Sequence, residues 1–174
     1  MRALMFGIMI LSVGLSSCSE EIVEPKDYTG RELRYTLYQS SDFDYTGTVT
    51  VREYPDEGIE LNIQLDWDGS RNSDINFPAH LHFGSYDTPD APMAFMLAPV
   101  NSMTLLSQTR IEQLTDGSNL NFESFQNFEG HVKVHLDSEG PDYNVILVAG
   151  NVGSTLNNAE QFDASQMTIC SPDF

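Results

Sequence analysis

The sequence predicts an all-β domain, a Greek-key β-sandwich or flattened barrel of about eight antiparallel strands. Short runs of alternating apolar and polar residues follow one another, with turn-forming residues between them. The chain contains neither a long amphipathic helical pattern nor an internal repeat. Its 174 residues hold a single domain once the N-terminal segments are set aside.

The first half of the domain predicts strands from simple alternation. Apolar residues recur at every second position in 33–37, in 49–51 and, most cleanly, from Ile59 to Trp67. The turn residues 55–58 separate the second run from the third, which predicts a hairpin. Trp67 ends the cleanest run, so we expect its side chain to be buried.

The second half predicts strands of mixed character. Residues 122–128 carry aromatic side chains at a spacing of three, which indicates a short helix or an irregular segment. Residues 144–149 are almost all apolar, as in a strand buried on both sides. Further strands are predicted at 78–83, 94–98, 105–114 and 131–136.

All four histidines lie in two of these predicted strands. His80 and His82 are two residues apart, and His131 and His135 are four apart, so each pair points to one side of its strand. The aliphatic residues between them point to the other side. Both strands therefore place aliphatic groups in the core and imidazoles on the outer face.

The N-terminus resembles a bacterial lipoprotein signal. Met1-Arg2 gives a positive start, and residues 3–14 form an apolar run that is too short to span a bilayer. The segment Leu15-Ser16-Ser17-Cys18 matches a lipobox, which predicts cleavage after residue 17 and attachment of lipid, including palmitate, to Cys18. An ordinary signal peptide with a chance cysteine is the alternative.

The sequence divides into four segments. Residues 1–17 are the predicted signal peptide, 18–30 an acidic flexible tether, 31–155 the β-domain and 156–174 a C-terminal tail. Serine and acidic residues directly after Cys18 resemble the surface-export signal of Bacteroidetes lipoproteins. The predicted location is therefore the outer membrane or cell surface, with a lipid anchor.

Charge and cysteine content exclude several classes. The formal net charge is −18, and removal of the signal peptide takes away one of only eight basic residues. Such an acidic chain repels the phosphates of nucleic acids and anionic lipids. If Cys18 carries lipid, Cys170 has no partner within the chain, which excludes a disulfide framework.

The order of several motifs resembles the CHRD domain, a family named from chordin that also occurs in bacterial secreted proteins. The matching features are Pro78-Ala79-His80-Leu81-His82-Phe83-Gly84, then 97–100, then Lys133-Val134-His135 and a glycine-punctuated last strand at 148–153. The resemblance covers residues 33–153.

The CHRD domain in turn is similar to copper/zinc superoxide dismutase, which implies an eight-stranded Greek-key fold. By this resemblance His80 and His82 match two copper ligands, and His135 matches a later one. The region 84–130 has no histidine, so the zinc site of that enzyme cannot be built in the same way. Thr155 follows Gly150–Ser154 where the enzyme has its guiding arginine, and superoxide dismutation is not expected.

These observations favour a membrane-anchored extracytoplasmic binding or structural domain. Its expected contacts are the membrane, through lipid, and an extracellular protein or glycan, but no nucleic acid. No catalytic residue is assigned, and no cofactor is expected. The alternative is a copper or zinc protein with His80, His82 and His135 as ligands, and His131 as an additional one. In that case Lys133 on the same face would oppose the bound cation.

Overall fold

The computed structural model describes residues 27–69 and 73–168, and its main elements are eight strands. The strands are β1 (Glu32–Gln39), β2 (Thr46–Glu53), β3 (Ile59–Asp66), β4 (Asn76–Phe83), β5 (Met93–Asn101), β6 (Leu106–Ile111), β7 (Glu129–His135) and β8 (Ile146–Gly153). One short helix, α1 (Phe122–Gln126), and 3-10 helices at Pro141–Asn144 and Ala164–Gln166 complete the described elements. No described helix is long and apolar enough to span a membrane.

The strands form one closed antiparallel barrel in the order β1-β2-β3-β6-β5-β4-β7-β8. Pairing of Tyr38 with Ala149 and of Gln39 with Val148 closes it between β1 and β8. The connections β3–β4 and β6–β7 each pass over two strands, as in a Greek key. The predicted fold class, an all-β Greek-key barrel with eight antiparallel strands, is thus confirmed.

The apolar faces of the alternating strands fill the barrel interior. In β3, Leu61 and Ile63 are fully buried, and the predicted hairpin with β2 is present. Tyr54 N–H donates to Gly58 O at 2.8 Å across its turn. Trp67 lies one residue beyond β3 and is only partly buried, stacked on Tyr45 at a ring distance of 5.0 Å.

Helix α1 begins at a reciprocal cap. Asn121 Oδ1 accepts from Ser124 N–H, and Ser124 Oγ accepts from Asn121 N–H, both at 2.9 Å. These bonds satisfy donors that the helix itself leaves open. The aromatic spacing of three turns Phe122 and Phe125 inward, and both are buried against the barrel.

Both ends of the described chain pack on the barrel. Tyr28 and Tyr54 donate to the two carboxylate oxygens of Glu60, each at 2.6 Å. Glu60 points outward, as alternation requires, yet it is buried beneath these residues. At the other end, Phe162 contacts the rings of Tyr38 and Tyr86, each 4.8 Å away.

Gly153, at the end of β8, allows a close crossing of two backbones. Its φ is +71°, and a Cβ there would overlap the carbonyl oxygen of Phe128 just before β7. Gly117 also has a positive φ, +85°, but lies in open space. Substitutions at these two glycines can therefore be compared to separate the cost of backbone strain from the cost of steric overlap.

We predict that Gly153→Ala lowers the free energy of unfolding by about 3 kcal/mol or more, since strain and overlap add. Gly117→Ala, the control, should cost only the ~1–2 kcal/mol of a left-handed alanine. Urea denaturation measures both values. Equal losses would show that the crossing at Phe128 is looser than described.

Candidate functional site

The pairing of β4 with β7 brings all four histidines together. The register places His82 opposite His131 and His80 opposite Lys133. His135 follows Lys133 by two residues on the same face, so it lies diagonally across from His80. The two strands that carry the histidines are therefore neighbours in the barrel.

The four imidazoles form a row, which we call the histidine row: His131, His82, His80 and His135. The ring centres of neighbours are 4.9 Å apart for His131 and His82, 5.8 Å for His82 and His80, and 5.1 Å for His80 and His135. The rings of His82 and His131 are nearly parallel, at 9°. His131 and His135 lie at opposite ends of the row.

The histidine row faces away from the barrel interior but is not exposed. His80 retains 5% of its accessible surface and His82 1%, and His131 and His135 retain none. The expected aliphatic partners Leu81 and Val132 are in the core. Alternation thus correctly predicted the face, but not that other parts of the chain cover it.

Backbone carbonyls fix the orientation of three rings. The Nδ1 atoms of His131, His135 and His82 lie 2.7, 2.7 and 3.1 Å from the oxygens of Gly84, Tyr143 and Ala91. A carbonyl can only accept, so each Nδ1 carries the proton and donates it. The Nε2 atom of each ring consequently keeps its lone pair.

Burial keeps the imidazoles neutral. It lowers the pKa of His131 to about 3 and those of His82 and His135 to about 4, against the opposing effect of their carbonyl partners. Burial, followed by the charge of Lys133, also lowers the pKa of His80. The Nε2 atom of His131 is buried and has no hydrogen-bond partner among the described residues, which a protonated ring could not tolerate.

Lys133 brings an ammonium into the same layer. It is 1% exposed, and its Nζ donates to the carbonyl of Thr168 at 2.6 Å. The Thr168 hydroxyl donates in turn to the carbonyl of Thr88 at 3.0 Å. The C-terminal segment therefore covers the histidine row, and the carbonyl of Thr168 is a hydrogen-bond acceptor for the Lys133 ammonium.

The cover over the histidine row could not be read from the sequence. Tyr143, in a 3-10 helix, stacks on His135 with ring centres 4.7 Å apart and planes within 8°. Thr168 lies 35 residues from Lys133 along the chain. Neither residue belongs to a recognisable motif, and contacts at such separation come from the fold alone.

The predicted metal ligands His80, His82 and His135 are neighbours in the histidine row. Within the described ranges, no three or more His, Cys, Asp or Glu side chains are arranged to hold a metal ion. The imidazole chemistry suits copper or zinc, whereas the Lys133 ammonium opposes a cation. The lipidation site Cys18, and Cys170, lie outside the described residues.

Comparisons with known proteins do not assign the chain to a family. No family model, no curated protein and no solved structure matches it significantly.

The low pKa values predict a loss of stability in acid. A histidine whose pKa is lower in the folded than in the unfolded state stabilises the fold fully above the unfolded value. That contribution is lost as pH falls from about 6.5 towards the folded pKa. The contribution of His131 to the free energy of unfolding should therefore fall by ~1.4 kcal/mol for each pH unit in this range.

We predict that His131→Asn, whose amide can still donate to Gly84, reduces the slope of unfolding free energy against pH between 6.5 and 4.5. The reduction should approach ~1.4 kcal/mol per pH unit. Urea denaturation across this range measures it, and the constant difference at pH 8 serves as control. Identical slopes for both proteins would contradict a neutral buried His131.

Proposed function

We propose that the chain is a lipid-anchored extracytoplasmic protein whose CHRD-like barrel serves as a binding or structural domain. One observation supports a structural role for the histidines above others. His82, His131 and His135 each donate to the carbonyl of a covering segment, so the histidine row fastens these segments to the barrel. Its partners outside the chain are the membrane and an extracellular protein or glycan.

The anchor rests on the lipobox-like residues 15–18. A lipoprotein with diacylglycerol and a further acyl chain binds a membrane stably, whereas a single chain binds only marginally. The acidic composition argues against contact with nucleic acid. Outer membrane or cell surface is the proposed location.

Copper or zinc binding is the second candidate, because one observation favours it. In metal-binding histidines, the N–H of the ring nitrogen that does not bind the metal commonly donates to a carbonyl. This hydrogen bond keeps the lone pair on the metal-binding nitrogen. His82 and His135 have this arrangement, and His80 lies between them. A shared ion would have to tolerate the nearby Lys133.

Metal titration separates the two candidates. For a structural histidine row we predict no rise in melting temperature with copper or zinc, and no stoichiometric metal in protein purified without a His tag. His82→Ala should then cost about 1–3 kcal/mol, the range for a lost buried hydrogen bond. Met103→Ala, at an exposed methionine, is the control.

A metal-dependent rise in melting temperature that disappears in His82→Ala would reverse this choice and support the copper or zinc function. Binding should then weaken as pH falls towards about 4, the lowered pKa of His82 and His135, because a ligand must be unprotonated.

For the anchor, we predict that Cys18→Ser abolishes partitioning into the detergent phase, since the lipid has no other attachment site. Phase separation of membrane extracts in a nonionic detergent measures this. Cys170→Ser is the matched control and should partition like the wild type. Detergent-phase partitioning that survives Cys18→Ser would overturn the lipoprotein assignment.

A further inference from the structure

An apolar groove opens on the outer surface of β4 and β5, at one end of the histidine row. Its volume is about 370 Å³. Pro78, Met96 and Pro99 are among its walls, and the buried rings of His80 and Tyr143 also line it. Met96 is 60% exposed, which is unusual for a large apolar side chain that lines a concave surface.

The groove carries no formal charge. Among the described residues that line it, none is Asp, Glu, Lys or Arg. A charged ligand would lose its hydration there without gaining an ionic partner. The net charge of −18 further repels anions.

Size and lining restrict the ligand further. Ligand pockets for drug-sized molecules span roughly 300–1,000 Å³, so this groove takes a molecule of about one or two rings. Methionine adapts its shape and makes favourable contacts between sulfur and aromatic rings. Asn76 and Ser138 also line the groove and are exposed, so a ligand could hydrogen-bond at the rim.

A second described cavity, of about 220 Å³, has a different character. Asn151 lines it, and its side-chain amide forms hydrogen bonds with Ser85, with the backbone N–H of Tyr86 and with the carbonyl of Leu156. Its polar groups therefore hold the protein together.

We infer that this groove binds a small, neutral, largely apolar molecule, with an aromatic ring favoured, between Met96, the two prolines and the ring of His80. The inference rests on the proposal that the barrel is a binding domain, and it names the chemical class of the ligand. It does not depend on the lipid anchor.

The test follows methionine methyl groups by NMR while p-cresol is added. The protein is the full chain with Cys18→Ser, labelled with ¹³C-methyl methionine. The Met96 signal should shift and saturate with a dissociation constant of about 1 mM or below. The signal of Met103, which is 43% exposed but does not line the groove, should stay in place.

Variants and a charged analogue complete the test. Met96→Lys should weaken p-cresol binding at least tenfold, whereas Met103→Lys should leave it unchanged, and Met96→Gln gives a second variant with little change in length. The anion 4-methylbenzoate should bind at least tenfold more weakly than p-cresol. Parallel, unsaturated shifts of Met96 and Met103, or equal binding of the anion, would overturn the inference.

The outcomes also distinguish this inference from the proposed function. If p-cresol fails to bind while the wild-type chain still partitions through Cys18, the groove inference alone is wrong. If binding depends on Met96 while partitioning does not depend on Cys18, the anchor alone is wrong.

Discussion

The antiparallel pairing of β4 with β7 is the constraint on which the site depends. Its register sets His82 against His131 and His80 against Lys133, with Leu81 and Val132 in the core behind them. A slip of one residue would turn the imidazoles into the barrel and the aliphatic side chains outward. Burial of the aliphatic face therefore fixes the histidine row, whatever its function.

The histidine row combines polar groups that are expensive to bury. Three of its rings find backbone carbonyls as acceptors, and all four have lowered pKa values. Lys133 is buried among them, and its ammonium donates to the carbonyl of Thr168. Each of these contacts comes from a loop, a 3-10 helix or the C-terminal segment, so the cover and the layer beneath it depend on each other.

The groove lies beside this layer. His80 belongs both to the histidine row and to the groove lining, and Tyr143 stacks on His135 while it also lines the groove. A molecule bound against Met96 would thus lie next to the row. The groove and the histidine row are therefore physically connected, because a change at their shared residues alters the packing of both.

The sequence by itself determined the fold class and the face on which the histidines lie. Period-two alternation reports burial directly, so the strands around Leu61, His80 and His131 were predictable. The aromatic spacing at 122–128 allowed a short helix or an irregular segment, and the structure has helix α1 there. The same logic overestimated the burial of the Trp67 side chain. Alternation does not show that β3 ends at Asp66 or that the ring lies beside the barrel end.

The tertiary structure alone decided how the site is finished. It decided that Tyr143, Ala91 and Thr168 cover the histidine row, that Glu60 is buried beneath Tyr28 and Tyr54, and that Met96 and His80 share a groove. These contacts join strands to loops and other segments outside them, and they follow no period. Local patterns encode which side of a strand is buried, whereas contacts between distant loops depend on how the closed barrel positions them.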